Sequence, residues 1–335
     1  MRYSHFLKKH SIVLMALVTV LIIFLIQFEV EYARFQWSYY LIRICVGICL
    51  YFMGYFIKEL PNNRPEAFNQ VCYYVFTWFS YATFVNLIGA GGTVDLSLVP
   101  FPVIDPYLVK IDHLLGFNVI DIMHYTQTNL PYLHSFLLLV YGTVGNAVSI
   151  TMIALPLINW KSFERVLFIF YLLFAMTFVF CNFFPSINPA YGYAHTVFPA
   201  NVTQEAHNYI QFRDYRAINP VIGDVSCPSW HVLIALLAMV GWWPIKRFGI
   251  RYLGVIYTIL ITASVFVTGW HYLVDVLGSF IFIIVGFYAA NKLFKEVPDY
   301  DFSVLKALIK LIRDYWPDRL KLKQSTQKSA STLLK

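Results

Sequence analysis

Apolar runs of about 20 residues recur along nearly the whole chain, and they limit what it can fold into. A run of that length is what an α-helix needs to cross the hydrocarbon core of a bilayer. Of the 335 residues, 59% are hydrophobic and only 13% are charged, which is outside the usual balance of a soluble domain. The sequence therefore predicts an all-α, polytopic helical membrane protein. About eight transmembrane helices are expected, at roughly residues 11–28, 37–57, 69–89, 132–158, 164–184, 229–244, 252–269 and 272–290.

The loops between these runs differ in charge from one side to the other. With the N-terminus inside, Lys and Arg concentrate in the inner loops and the outer loops are richer in Asp and Glu, as the positive-inside rule requires. We therefore expect both termini to be cytoplasmic and the long loops at about 90–131 and 185–228 to be periplasmic or lumenal. Residues 104–116 and 302–316 have helical spacing of apolar positions, so we expect them to lie along the membrane surface.

Cysteine spacing and the distribution of basic residues indicate neither a metal site nor a nucleic-acid interface. The five cysteines include no Cys-x-x-Cys pair, so we expect no metal site, no disulfide framework and no cofactor. The net charge of +7 comes from residues scattered over short loops and the C-terminal tail, without a concentrated basic face. Such a distribution does not indicate a nucleic-acid partner.

The sequence Cys-Pro-Ser-Trp-His at residues 227–231 lies where a polar loop meets an apolar run. Ser229 is a helix-start residue that can cap the helix, which leaves the amides of Trp230, His231 and Val232 without intrahelical partners. Free amides and the positive end of the helix dipole together favour an anion, which would lie beside His231. The alternative is a capped helix whose interfacial histidine hydrogen-bonds a loop carbonyl.

His271 and Asp275 begin the last predicted span. Their spacing of four places both side chains on one helix face. The carboxylate can then accept a hydrogen bond from one ring nitrogen and leave the other nitrogen basic. An acid that faces lipid is costly, so Asp275 should face the bundle interior. The alternative is a histidine–aspartate pair that joins two helices.

Both motifs fall at the outer face of the predicted bundle. Two histidines and a carboxylate beside a helix N-terminus are suited to phosphoryl transfer without a metal. One imidazole attacks phosphorus, the other protonates the leaving oxygen, and backbone amides hold the developing charge.

These residues resemble the type 2 phosphatidic acid phosphatase superfamily. Cys-Pro-Ser-Trp-His followed by His-Tyr-x-x-Asp-Val is similar to its second and third motifs, commonly Pro-Ser-Gly-His and Ser-Arg-x5-His-x3-Asp. Ser264 matches the serine of the third motif, but Val265 replaces the arginine, and the first motif, Lys-x6-Arg-Pro, is absent. This pattern looks more like the branch containing inositol phosphorylceramide synthases and sphingomyelin synthases. Segments 104–117 and 184–189 also resemble that branch.

The resemblance implies a role for each motif residue. His271 would be the nucleophile that forms a phosphohistidine, Asp275 its orienting partner, and His231 the general acid and then the base. Ser229 and local amides, including that of Trp230, would bind phosphate.

The cationic phosphate clamp of the family is missing at its usual places. We expect Arg213 and Arg216 on the second outer loop to replace it, and the alternative is that they are solvated loop charges. Three parts of the chain follow from the resemblance. Residues 1–68 would hold extra transmembrane helices, 69–290 a catalytic core with six helices, and 291–335 a cytoplasmic amphipathic helix and basic tail.

Three functions fit these features. In a lipid phosphotransferase, a hydroxyl of a lipid such as ceramide or diacylglycerol resolves the phosphohistidine. In a metal-independent lipid phosphatase, water resolves it, and the substrate is phosphatidate, a polyprenyl pyrophosphate or a sphingoid phosphate. A non-catalytic membrane protein or transporter is the third, although a transporter should carry charges at mid-membrane. We expect the first function, with phospholipid or sphingolipid substrates.

Overall fold

The computed structural model describes residues 10–27, 37–59, 66–95, 101–193, 198–215, 227–246, 249–294 and 302–315. Within these ranges the chain forms fourteen helices and no strand. In chain order they are α1 Ser11–Gln27, α2 Trp37–Glu59, α3 Glu66–Asp95, α4 Asp105–Leu114, α5 Val119–Asn129, α6 Pro131–Tyr141, α7 Val144–Ile158, α8 Trp160–Phe183, α9 Pro189–Gly192, α10 Ala200–Tyr215, α11 Trp230–Trp242, α12 Ile250–Val267, α13 Leu273–Leu293 and α14 Ser303–Tyr315.

Several of these helices are long and apolar enough to cross a bilayer. In the described part of the chain, four helices meet this criterion alone, namely residues 41–59 of α2 together with α8, α12 and α13. Helices α6 and α7 make a fifth span if they are taken together. Helix α11 and residues 11–22 of α1 are apolar but shorter. The all-α polytopic fold is confirmed, and the number of eight spans stays a prediction.

The span predicted as one helix at 132–158 is broken, so that prediction was wrong in detail. Helices α6 and α7 meet at an angle of 43° across Gly142 and Thr143. The Thr143 hydroxyl donates to Val140 O at 2.6 Å and lies 3.2 Å from Tyr257 Oη of α12. A threonine hydroxyl that bonds a nearby carbonyl offers the backbone an alternative to the regular helix. The break lies beside the candidate site described below.

Helix α8 is the centre of the bundle. It begins after Asn159, whose side chain accepts a hydrogen bond from Ser162 N at 2.9 Å. More than half of its residues are buried, and α1, α7, α11 and α13 all pack against it. Ser162 also donates to Gly241 O at 2.6 Å, which ties α8 to the C-terminal end of α11. This packing fixes the position of α11, whose first turn carries His231.

The segment predicted as a loop at about 90–131 contains two helices beyond the end of α3. Helix α4 confirms the helix predicted at 104–116, whereas α5 was not predicted. The buried residues Asp105, Leu108 and Asp112 share one face of α4, and this helix contacts α9 and α13. Its acidic face is therefore turned to the protein. Its exposed apolar residues, Tyr107, Ile111 and Leu114, lie away from that face.

Helix α14 is the amphipathic helix predicted after the last span. It packs against α3 and α7, with Phe302 N donating to Ile158 O at 3.0 Å and Lys310 Nζ 3.3 Å from Glu66. Its exposed apolar stripe consists of Leu305, Leu308, Ile309 and Ile312. Its contact with a membrane surface stays a prediction, and the basic tail at 316–335 lies outside the described residues.

Candidate active site

The first turn of α11 presents backbone amides and one histidine. Ser229 is the N-cap, and its side chain accepts a hydrogen bond from Val232 N at 3.4 Å. The amides of Trp230 and His231 therefore have no partner within the helix. The Trp230 ring packs against Phe170 and Phe174, with centroid separations of 6.2 and 5.1 Å. The Trp230 ring therefore has its own packing partners on α8, and its main-chain amide is free of the helix ladder.

The turn between α12 and α13 places the second histidine. Gly269 has a φ of 74°, a left-handed conformation that glycine adopts without steric cost. His271 Nδ1 then lies 3.3 Å from Asp275 Oδ2, and the same oxygen accepts from Tyr272 N at 2.9 Å. The Asp275 side chain is fully buried, as predicted for an acid that faces the bundle interior. When a neutral His271 ring pairs with an ionised carboxylate, which only accepts, Nδ1 carries the hydrogen and Nε2 keeps its lone pair.

Hydrogen bonds join the start of α11 to the start of α13. Ser229 N donates to Asp275 O at 3.3 Å, and the Ser279 hydroxyl lies 3.0 Å from Ser229 O and 2.8 Å from Asp275 O. As a result the His231 and His271 rings are 5.8 Å apart between centroids. At this separation one phosphoryl group can contact both rings, given hydrogen-bond reach of about 3 Å from each nitrogen.

Aromatic rings line one side of the histidine pair. The Tyr141 ring stacks on His231 with centroids 4.0 Å apart and an interplanar angle of 19°. Trp270 lies nearly parallel to Tyr141, at 6.5 Å and 7°. His271 is only 5% exposed. The histidine pair is thus partly enclosed by aromatic surface.

The N-terminus of α13 is already occupied by carboxylates. Asp112 of α4 accepts hydrogen bonds from Leu273 N at 2.8 Å and from Val274 N at 3.1 Å. Asp275 holds the amide of Tyr272. An anion therefore cannot use these amides, and the N-terminus of α11 is the one suited to phosphate.

A chain of polar groups supports the turn from behind. Tyr272 Oη lies 2.9 Å from both Asp105 Oδ1 and Asn188 O. A hydroxyl has one hydrogen to donate, so a protonated Asp105 satisfies all three groups by donating to Tyr272, which then donates to Asn188. Burial raises the pKa of Asp105 to about 7 and that of Asp112 to about 6.

The segment at 184–189 joins the two motifs. Ser186 Oγ accepts from Cys227 N at 2.9 Å, and Ile187 N donates to the Asp105 carboxyl at 3.0 Å. Ser186 thereby holds Cys227, the first residue of the motif at 227–231. Ile187 holds Asp105, which contacts Tyr272 in the motif that contains His271 and Asp275.

A family comparison agrees with these motifs. A family model described as PAP2 superfamily matches residues 106–289, more than half of the chain. The chain belongs to the PAP2 superfamily. The matched range contains both histidines and Asp275. Comparison with curated proteins and with solved structures finds no match. Membership indicates a lipid enzyme of the phosphatase or phosphotransferase type.

The other predicted residues have different placements. Ser264 is buried and donates to Ile261 O of its own helix at 2.7 Å, and Val265 is fully buried. The backbone of Arg213 belongs to α10, but its side chain and the whole of Arg216 lie outside the described part of the structure. The predicted cationic clamp therefore remains a prediction. In the described residues, no group of three or more His, Cys, Asp or Glu is arranged to hold a metal.

Four residues at the site were not predicted. The acids of α4 could have been found, because Asp105, Leu108 and Asp112 are spaced three and four apart and so share a face on a helix already predicted. An acid on the same face as a core leucine indicates a buried partner. Nothing in the sequence singles out Tyr141 among 24 tyrosines, or Trp270, because their contacts depend on how three helices meet.

Proposed function

We propose that this protein is a membrane lipid phosphotransferase, similar to inositol phosphorylceramide synthases. It would move a phosphoryl headgroup between lipids through a phosphohistidine at the extracytoplasmic face. One observation carries the proposal: two histidine rings 5.8 Å apart stand at two helix N-termini, one of them paired with a buried aspartate. The catalytic unit would be the core at 69–290.

In the first step His271 is the nucleophile. Its Nε2 attacks phosphorus while Asp275 holds the Nδ1 hydrogen and stabilises the cationic ring that forms. The bond from phosphorus to the donor-lipid oxygen breaks, and His231 gives that oxygen its proton. The amides of Trp230 and His231, with Ser229, stabilise the charge on the phosphoryl oxygens. The donor lipid leaves as a neutral alcohol.

In the second step the roles of His231 reverse. The ring is now neutral and takes the proton from a hydroxyl of the acceptor lipid. The acceptor oxygen attacks phosphorus, the phosphorus–nitrogen bond to His271 breaks, and the free imidazole is restored. The steps balance without a redox partner, and we propose that they need no metal ion.

Two observations favour a lipid hydroxyl over water as the acceptor. His271 is buried, with 5% of its surface exposed, and the aromatic rings of Tyr141 and Trp270 flank the pair. An enclosed site limits hydrolysis of a reactive intermediate. The motif losses noted above also resemble the synthase branch. The alternative is a metal-independent lipid phosphatase acting on phosphatidate or a polyprenyl pyrophosphate.

The test uses purified protein and phospholipids labelled in the headgroup phosphate, with and without ceramide or diacylglycerol. We expect a labelled lipid product that requires the acceptor, unchanged by EDTA. Release of free phosphate independent of an acceptor would refute the transferase reading and support the phosphatase.

Variants connect that activity to the site. His271→Ala and Asp275→Asn should abolish turnover without loss of folded protein. The control is His124→Ala, which changes an exposed histidine of α5 outside the site. Full activity in His271→Ala would exclude both enzymatic mechanisms.

A further inference from the structure

His231 has a face-to-face aromatic neighbour to which the proposed mechanism gives no part in proton transfer. Tyr141 is the last residue of α6 and lies against the His231 ring at 4.0 Å and 19°. On the Tyr141 side of the site, Trp270 adds a second, nearly parallel ring at 6.5 Å from Tyr141. Trp270 immediately precedes His271, so Tyr141 lies between the His231 ring and the residue next to His271.

The break between α6 and α7 brings Tyr141 to this place. The bend of 43° begins one residue after it. The Thr143 hydroxyl, 3.2 Å from Tyr257 Oη, ties the break to α12, and α12 leads to Gly269 and the turn that carries His271. Helix α6 also packs against α12. The elements that hold Tyr141 are therefore the ones that place the second histidine.

A stacked ring restricts how an imidazole can turn. The ring nitrogens of a histidine point outward in the plane of the ring, so the plane decides where the proton is delivered. Face-to-face contact with Tyr141 fixes that plane, and His271 meets the His231 ring at an interplanar angle of 60°. An aromatic face also attracts a cation, so the stack offsets part of the cost of charging the buried His231 ring when it delivers the proton.

We propose that Tyr141 is the positioning residue for His231, acting through the face of its ring rather than through its hydroxyl. The proposal rests on the proposed function, because it assigns Tyr141 to the proton-transfer step of that mechanism. Tyr141 would act on the reacting phosphorus only through His231.

The test compares Tyr141→Phe, which keeps the aromatic ring, with Tyr141→Leu, which removes the ring but keeps an apolar side chain. Tyr132→Leu is the matched control, because Tyr132 is on the same helix and 92% exposed. We expect kcat to fall about 10- to 100-fold in Tyr141→Leu, with KM for the donor lipid little changed. This loss is smaller than the roughly 10²–10⁴-fold that general acid–base catalysis contributes as a whole, because His231 itself remains. Tyr141→Phe and Tyr132→Leu should keep kcat within about threefold, the scatter expected for single contacts.

A second readout does not depend on activity. The His231 ring protons, followed by NMR on histidine-labelled protein in detergent, should be shielded in the wild type and in Tyr141→Phe, and shift downfield in Tyr141→Leu. Thermal unfolding of the same samples shows whether each variant is folded.

The outcomes separate two failures. If the wild type transfers no phosphoryl group from any donor, the proposed function fails while the NMR comparison still tests the stack. If the wild type is active and Tyr141→Leu keeps its kcat, or if Tyr141→Phe loses as much as Tyr141→Leu, the positioning role is overturned. A change in KM alone would also overturn the positioning role, because that change would indicate that Tyr141 contributes to substrate binding and not to proton transfer.

Discussion

Asp112 offers a test of how the turn at His271 is held. Its carboxylate accepts hydrogen bonds from the first two amides of α13, at 2.8 and 3.1 Å, although it belongs to α4 more than 160 residues earlier. The residue is fully buried. Replacing it by alanine leaves both amides of Leu273 and Val274 without their acceptor, two residues away from His271.

The expected loss follows from the number of amides. An unsatisfied buried donor costs about 1–3 kcal/mol, and loss of a charged cap from a helix N-terminus typically costs about 0.5–2 kcal/mol. Because both donors are only partly buried, Asp112→Ala should lower the free energy of unfolding by about 2–4 kcal/mol. Asp112→Asn keeps one acceptor oxygen and should lose about half as much.

Activity should fall further than stability alone explains. A displacement of about 1 Å at a reacting group costs on the order of 10²-fold, so kcat of Asp112→Ala should drop about 10- to 100-fold at a temperature where the variant is still folded. Thermal unfolding in detergent and initial rates on the same preparation measure both effects. The control is Asp121→Asn, which changes an exposed acid in the first turn of α5. Unchanged stability and unchanged kcat in Asp112→Ala would show that α4 does not hold the turn.

Three further predictions concern the surroundings of the site. A Cβ at Gly192 would overlap Tyr272 Oη, so Gly192→Ala should destabilise the protein by roughly 1–3 kcal/mol. Adding Tyr272→Phe removes the overlapping hydroxyl, and this double variant should recover part of that loss in a thermal unfolding assay. Burial raises the pKa of Asp105 from 3.8 to about 7. Between these two pH values the folded state keeps a proton on Asp105 that the unfolded state has lost. The free energy of unfolding should therefore fall by roughly 3–4 kcal/mol as the pH rises from about 4 through about 7. Asp105→Asn should remove that pH dependence, and a pH–stability profile identical to the wild type would contradict the assignment. Trp230→Phe should keep kcat within a few fold, because the proposed phosphate contact of Trp230 uses its main-chain amide. A loss of 100-fold in initial rate would assign the Trp230 side chain a direct part.

Local spacing predicted the parts of the site that depend on one helix. The four-residue spacing of His271 and Asp275 placed them in contact, and the N-cap at Ser229 followed from its position before an apolar run. Each of these contacts forms within a single turn, where sequence distance and spatial distance agree. The all-α fold followed from the apolar runs for the same reason.

Contacts between distant segments were not predictable in this way. The bond from Asp112 to Leu273 and the stack of Tyr141 on His231 join residues that are far apart in sequence. The break after Tyr141 was missed because residues 132–158 form one predominantly apolar run without an Asp, Glu, Lys or Arg, and mean hydropathy does not register a bend. Helix α5 was missed because its mixture of polar and apolar residues has the composition of a loop. The residues that orient the histidines therefore emerge only from the packing of α4, α6 and α13.

The phosphoenzyme is the most direct object to measure. Protein incubated briefly with a phospholipid labelled in the headgroup phosphate, quenched in base and digested, should yield one labelled peptide, with acid-labile and base-stable phosphate on His271. The label should disappear on addition of the acceptor lipid and be absent from His271→Ala. Turnover of the same lipid without a labelled His271, or with the label on another residue, would contradict the proposed mechanism.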